Sequence, residues 1–147
     1  MGFYSSVEIS ASGLSAERLA MDVIANNIAN ANTTHTPGGG PFKRQLVVFA
    51  QKPGGAPETA GDPNDIEKLG QGGVEVLGVE QDQSPDRLVF DPSNPDADAR
   101  GYVHYPNVSV VKEMVDMMAA SRAYEANVSA MQEARNMTNA ALNILRS

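Results

Sequence analysis

The sequence predicts an α+β fold: long N- and C-terminal helices packed as an antiparallel coiled-coil-like pair, with a small β-domain inserted between them. Three observations carry this prediction. Apolar residues recur at seven-residue spacing near both ends of the chain, which puts them on one stripe of a helix. The middle loses that period and becomes rich in Gly, Pro and short runs of strand formers. The charge divides the same way: residues 33–107 carry eleven acids and six bases, whereas residues 108–147 carry four of each.

The first segment, residues 1–32, is predicted to hold one helix from about residue 5. Ser5 and Glu8 have the spacing of a capping box. Val7, Leu14, Met21 and Ile28 form one row of the stripe, and Ile24 joins the adjacent row with Ala31. Ser10 and Glu17 interrupt that second row, and Gly13 weakens the helix by about 1 kcal/mol relative to Ala. The helix should stop within Asn30–Thr34, ahead of Pro37.

Residues 33–107 read as a small β-rich domain. Leu46-Val47-Val48-Phe49 marks a strand within Lys43–Gln51. Val74, Val76 and Val79 mark a second, and Arg87–Phe90 and Tyr102–Tyr105 are two short ones around an Asp/Pro/Asn-rich turn. Residues 52–73 hold nine Gly or Pro in 22 positions and read as a long inserted loop.

Residues 108–147 form the third segment, a second long helix with Ser109 as N-cap, Asn107 as the rival cap and Pro106 just outside. Met114, Met117, Tyr124, Val128, Met131, Leu142 and Leu145 follow a heptad. Ser121, Arg135 and Thr138 break it. A lone helix of either kind is marginal in water, so each must pack on something. The other terminal helix and neighbouring copies of the chain are both open as partners.

Composition excludes several classes of function. The net charge of −7 repels phosphate backbones and speaks against nucleic acid as a partner. The chain has no cysteine, which removes disulfides and thiolate metal sites. No run of apolar residues is long enough to predict a transmembrane segment. The N-terminus lacks the basic and apolar regions of a cleavable signal, and its first base is Arg18. Catalytic patterns are missing as well. His35 and His104 stand alone in sequence. Asn94-Pro95-Asp96-Ala97-Asp98 opens like a calcium loop, but Ala99 occupies the Gly position and Tyr105 that of the bidentate Glu. Asx turns are the expected use of those side chains. Gly38-Gly39-Gly40 and Gly70-Gln71-Gly72-Gly73 lack the Lys-Ser/Thr of a phosphate loop. The expectation is a non-enzyme with no cofactor, no metal and no small-molecule substrate.

Three stretches resemble the bacterial flagellar rod and hook proteins, a family of axial subunits. Asn26-Asn27-Ile28-Ala29-Asn30 is similar to the family's N-terminal signature. Arg122-Ala123-Tyr124-Glu125-Ala126-Asn127 is similar to its C-terminal one. Ser84–Pro92, followed by Asn94-Pro95-Asp96-Ala97-Asp98, Gly101-Tyr102 and then Pro106-Asn107, resembles the proximal-rod members in particular. The resemblance covers both helices and the second half of the middle; residues 52–73 match nothing in it. It implies a structural subunit of the basal-body rod, exported by the flagellar type III apparatus without signal cleavage into the periplasmic space. It also implies partners: other rod subunits, copies of itself, the export apparatus and the base of the basal body. The terminal helices would polymerise into the helical shaft that carries torque from motor to hook. Rival readings are another rod or hook subunit with the same helical ends, and an unrelated secreted coiled-coil protein.

If the N-terminal helix depends on partners, purified monomer should exchange the amide hydrogens of residues 5–30 quickly. Full protection of that stretch in a monomer, measured by hydrogen exchange, would contradict the expectation.

Overall fold

The structure is a computed structural model that describes the backbone of residues 2–52 and 72–146 and the side chains of residues 6–52 and 72–144. Helix α1 spans Gly2–Ala29 and helix α2 spans Val110–Arg146. Between them lie β1 (Gln45–Lys52), β2 (Gly73–Gln81), β3 (Arg87–Phe90) and β4 (Tyr102–Tyr105). β1 pairs with β2, and β3 pairs with β4, in separate two-stranded antiparallel sheets. All four strands coincide with the runs of β-branched and aromatic residues.

One boundary differs from the sequence reading. α1 begins at Gly2, so Ser5 lies inside the helix and is not its cap. Its first turn contains no acid, and nothing in Gly2-Phe3-Tyr4-Ser5 stops a helix already nucleated downstream. The C-terminal stop falls where Asn30 predicts it. The Asn30 side-chain Nδ2 donates to the Asn26 carbonyl at 3.0 Å and to the Asn26 Oδ1 at 2.9 Å. Ala31 N then bonds back to Ile28 O, and Thr33 N to Asn30 O, in the tightened geometry of a closing turn. α2 begins one residue after Ser109, whose carbonyl accepts the amide of Glu113 at 2.9 Å.

The chain divides into two compact units. The first comprises Met1–Leu19, Phe49–Leu77 and Ala120–Ser147. Its buried residues on the two helices are small: Gly13, Ala16, Ala120 and Ala134. A Cβ on Gly13 would stand 2.9 Å from the amide nitrogen of Asn127, so α1 and α2 approach closely at that point. Asn127 turns its own Nδ2 to the Ala123 carbonyl at 3.0 Å. Ser12 ties α1 to the start of β2: its hydroxyl accepts from Val74 N at 3.0 Å and donates to Ile9 O at 2.7 Å.

The second unit comprises Ala20–Val48 and Gly78–Ala119. Its core combines Ala20, Val23, Ala31, Val103, Pro106 and Val108 with the polar side chains Asn27, Arg44 and Glu113. β3 and β4 pair Arg87 with Tyr105 and Phe90 with Tyr102. Val103 is fully buried on one face of this hairpin, while Leu88 and Phe90 are exposed. The Phe90 and Tyr102 rings meet edge to face at 5.2 Å.

The innermost rows of the helices sit one residue aside from several of the larger apolar side chains. On α1 the buried row is Gly13, Ala16, Ala20, Val23 and Asn27. Val7, Leu14, Met21, Ile24 and Ile28 flank it and are half-buried. On α2 the buried row is Glu113, Ala120 and Ala134, with Asn127 half-buried at the same spacing. Met117, Tyr124, Val128 and Met131 are half-buried beside it, and Met114 and Leu142 are exposed. The Leu145 side chain and residues 53–71 of the inserted loop lie outside the described residues.

Gly101 holds φ of 81°, and a Cβ there would stand 3.0 Å from the Phe90 ring. Gly101→Ala should therefore cost about 1–3 kcal/mol, read as a lowered denaturation midpoint with the helical circular-dichroism signal retained.

A polar clamp joins α1, β1 and α2

The candidate functional site is built from residues far apart in sequence. Asn27 is fully buried near the end of α1. Its Nδ2 donates to the Gln45 carbonyl at 2.8 Å, and its Oδ1 accepts from Gln45 N at 2.9 Å. The side-chain amide thus pairs with β1 as another strand would. The second Nδ2 hydrogen reaches Glu113 Oε2 in the first full turn of α2 at 2.9 Å. Glu113 is itself fully buried, and its Oε1 accepts from Arg44 Nε at 2.5 Å. Arg44 also reaches Asp116 at 3.1 Å and lies 3.8 Å from Asp82.

Asn107 completes the arrangement from the other side. Its Oδ1 accepts from Arg44 N at 2.8 Å, and its Nδ2 donates to the carbonyls of Asp82 and Ser84 at 3.0 and 3.2 Å. Two asparagines therefore hold the successive backbone amides of Arg44 and Gln45. No buried side-chain nitrogen or oxygen among the described residues is left without a partner. In a low-dielectric interior such a network is stabilising only when complete.

The long turn between β3 and β4 uses its acids as backbone acceptors. Asp98 Oδ1 accepts from the amides of Arg100 and Tyr102 at 2.8 and 2.9 Å. These bonds, Tyr102 first, hold its carboxyl below the usual carboxylate range. Asn94 Oδ1 accepts from Asp96 N at 3.0 Å, and Asp96 accepts from the Thr34 hydroxyl at 2.7 Å. Asp82 is likewise lowered, mainly by bonds from the Ser84 hydroxyl and amide. Asp86 pairs with Lys43 and lies 3.5 Å from His104 Nδ1. His35 and His104, apart in sequence, line one open depression of about 440 Å³ with Thr34, Pro95 and Asp96. No group of three or more metal-ligating side chains occurs among the described residues. Burial raises the carboxyl of Glu17 on α1.

The structure brings Asn27 and Asn107 of the sequence motifs into one clamp. Asn26 and Asn30 bond each other beside it, and Asn26 reaches Gln45 Oε1 at 3.2 Å. Pro106 is buried, Pro95, Asp96, Asp98, Gly101 and Tyr102 shape the turn, and Asn127 faces Gly13. Arg122 is exposed and Tyr124 half-buried on α2. Sequence reasoning missed Arg44, Gln45, Asp82, Glu113 and Asp116. Glu113 is the acid in the first turn of α2, where the helix dipole alone favours an anion, and no local spacing links it to Arg44.

Residues 8–34 match the family described as "Flagella basal body rod protein", and residues 99–144 match "Flagellar basal body rod FlgEFG protein C-terminal". Over its full length the chain is similar to proteins named flagellar basal-body rod protein FlgC. It is 46% identical to that of Borreliella burgdorferi, with 99% of both chains covered. It is 41% identical to that of Escherichia coli O6:H1, with 93% of each covered, and 39% identical to that of Bacillus subtilis, with 98% of this chain and 99% of that one covered. The chain belongs to the FlgC family of flagellar basal-body rod proteins. It is accordingly a structural subunit of the rod, and its location is the basal body. The two matched stretches of this FlgC-family chain contain Asn27, Asn107, Glu113 and Asp116, so four of the clamp's side chains fall within them. No helix among the described residues is long and apolar enough to cross a membrane.

Arg44→Met leaves the buried Glu113 carboxyl without its cation, and should cost about 3–5 kcal/mol in a denaturation series. Arg44→Met combined with Glu113→Met should recover part of that loss. The pH dependence has a definite sign. Asp98 titrates lower in the folded chain than in the unfolded one, so its contribution is present above the ordinary carboxylate value and is lost as pH falls through the folded value. Amide shifts of Arg100 and Tyr102 should therefore move as pH falls below the ordinary carboxylate value, and Asp98→Asn should remove that titration.

Proposed function

We propose that this chain is a proximal-rod subunit that polymerises through its terminal helices into the helical drive shaft carrying torque from motor to hook. It is exported through the flagellar type III apparatus without a cleaved signal and assembles in the periplasmic space. Its partners are copies of itself, other rod subunits, the export apparatus and the basal-body base. It works without catalysis, cofactor or metal.

The observation that carries this reading is the division of labour on the helices. Small side chains and the polar clamp occupy the innermost positions within the chain. That leaves Val7, Leu14, Met21, Ile24, Ile28, Met117, Tyr124, Val128 and Met131 half-buried and Met114 and Leu142 exposed. These residues, with Leu145, form the subunit-packing seam. Side chains half-covered by one chain gain apolar burial only when a neighbour covers the rest. The methionines among them tolerate neighbours of differing shape. A contact of this kind, repeated by one rotation and rise, builds an open helical filament. Such a shaft transmits torque if its subunits are internally rigid, and the clamp supplies that rigidity where strand and helices meet.

Met21→Asp and Leu142→Asp should each block rod assembly and swimming while leaving the β-strands folded. Normal motility in both variants would remove the seam from the account. For export, the aromatic-to-aliphatic pairs Phe3–Val7 and Phe42–Leu46 are candidate recognition elements. Phe42→Ala should reduce secretion of a chain that still folds; unchanged secretion would exclude that segment.

A further inference from the structure

The β3–β4 hairpin carries apolar side chains on both of its faces, and the chain covers one of them. In register, Leu88 stands opposite His104 and Phe90 opposite Tyr102, so strand alternation puts these four on one face. Val103 points to the other face and is fully buried. Arg87 and Tyr105 share that inner side, with the guanidinium 5.1 Å from the ring centroid. An antiparallel sheet with one covered face ordinarily turns polar residues to water on the second. Here the second face is 63% exposed at Phe90 and 56% at Leu88, and Tyr102 is exposed beside them. The Phe90 and Tyr102 rings meet at 63°, so they form a notch and not a flat platform. Gly101 backs the notch closely: a Cβ there would stand 3.0 Å from the Phe90 ring. The notch is therefore shaped before anything fills it.

Charge decides what it suits. At the Asp86 end the face is neutral, because Lys43 pairs with Asp86. The opposite end is the turn of residues 91–101, which carries three acids and one base. Asp98 binds the Tyr102 amide through Oδ1, and Asp91, next to Phe90, binds Ser93 through Oδ1. Neither Oδ2 has a hydrogen-bond or ion-pair partner among the described residues. A second copy of this face, related by a two-fold axis, would set acidic turn against acidic turn. An anionic lipid surface is repelled for the same reason. Residues 53–71 of the chain itself carry four acids and one base, and are equally mismatched.

We propose that this face docks a segment of a different basal-body protein, one in which a branched aliphatic side chain lies beside a Lys or Arg. The aliphatic group fills the notch between Phe90 and Tyr102 and rests on Leu88. The base reaches the free carboxylate oxygens of Asp91 and Asp98. Buried aromatic anchors with a charged rim are the usual makeup of such a contact. The hairpin belongs to neither terminal helix, so this contact and polymerisation through the helices can fail separately.

Photo-crosslinking in flagellated cells tests it, with Leu88→benzoylphenylalanine in one strain and Tyr102→benzoylphenylalanine in another. After illumination, isolated basal bodies should contain this chain joined, from both positions, to the same segment of one other protein. Mass spectrometry should find an aliphatic residue beside a Lys or Arg in that segment. Asp91→Asn combined with Asp98→Asn keeps the Oδ1 acceptors of the turn and removes both charges. It should lower the cross-linked fraction about fivefold. Four results would overturn the docking face and leave the rod reading standing: undiminished cross-linking in that double variant, a segment without a base, a product joining two copies of this chain or this chain to lipid, or no product in basal bodies that contain the probe. Normal motility of Met21→Asp and Leu142→Asp would instead remove the helical seam and leave this face in place.

Discussion

A carboxylate buried in the first full turn of α2 organises the second unit of the structure. Glu113 is fully buried and cannot stay charged there without donors. Arg44 and Asn27 supply them, from the start of β1 and the end of α1. Each donor is committed elsewhere too: Asn27 to the backbone of Gln45, and Arg44 to Asp116. Removing one member strands the others in a low-dielectric setting, so three elements distant in sequence behave as one.

The inner helix rows are filled by small residues, and at Gly13 α1 and α2 approach closely. Large side chains are then left to the flanks, half-covered. Further apolar burial there is open to a neighbour.

The turn between β3 and β4 illustrates how acidic residues serve structure rather than chemistry. Asp91, Asn94 and Asp98 each accept backbone amides a few residues ahead. Their oxygens are occupied in closing the turn, and Gly101 supplies the positive φ that lets the chain reverse into β4. The sequence block that narrows the family resemblance is therefore a turn with a demanding backbone path.

Much of this fold is legible in the sequence because its signals are local. Strand formers bounded by Gly and Pro mark all four strands, seven-residue spacing marks both helices, and Asn30 marks the end of the first. These depend on neighbours within a few residues, where propensity and hydrogen bonding act. The start of α1 lies upstream of the capping-box spacing at Ser5 because that spacing is only one of several ways a helix can begin. What the tertiary structure alone decides is which stripe of each helix faces inward. Periodicity identifies rows but ranks them by hydrophobicity, whereas close approach of helices selects small side chains. It also alone decides the clamp. Arg44 and Glu113 are 69 residues apart, and a buried ion pair leaves no periodic trace, because its physics depends on the burial that only the folded chain creates.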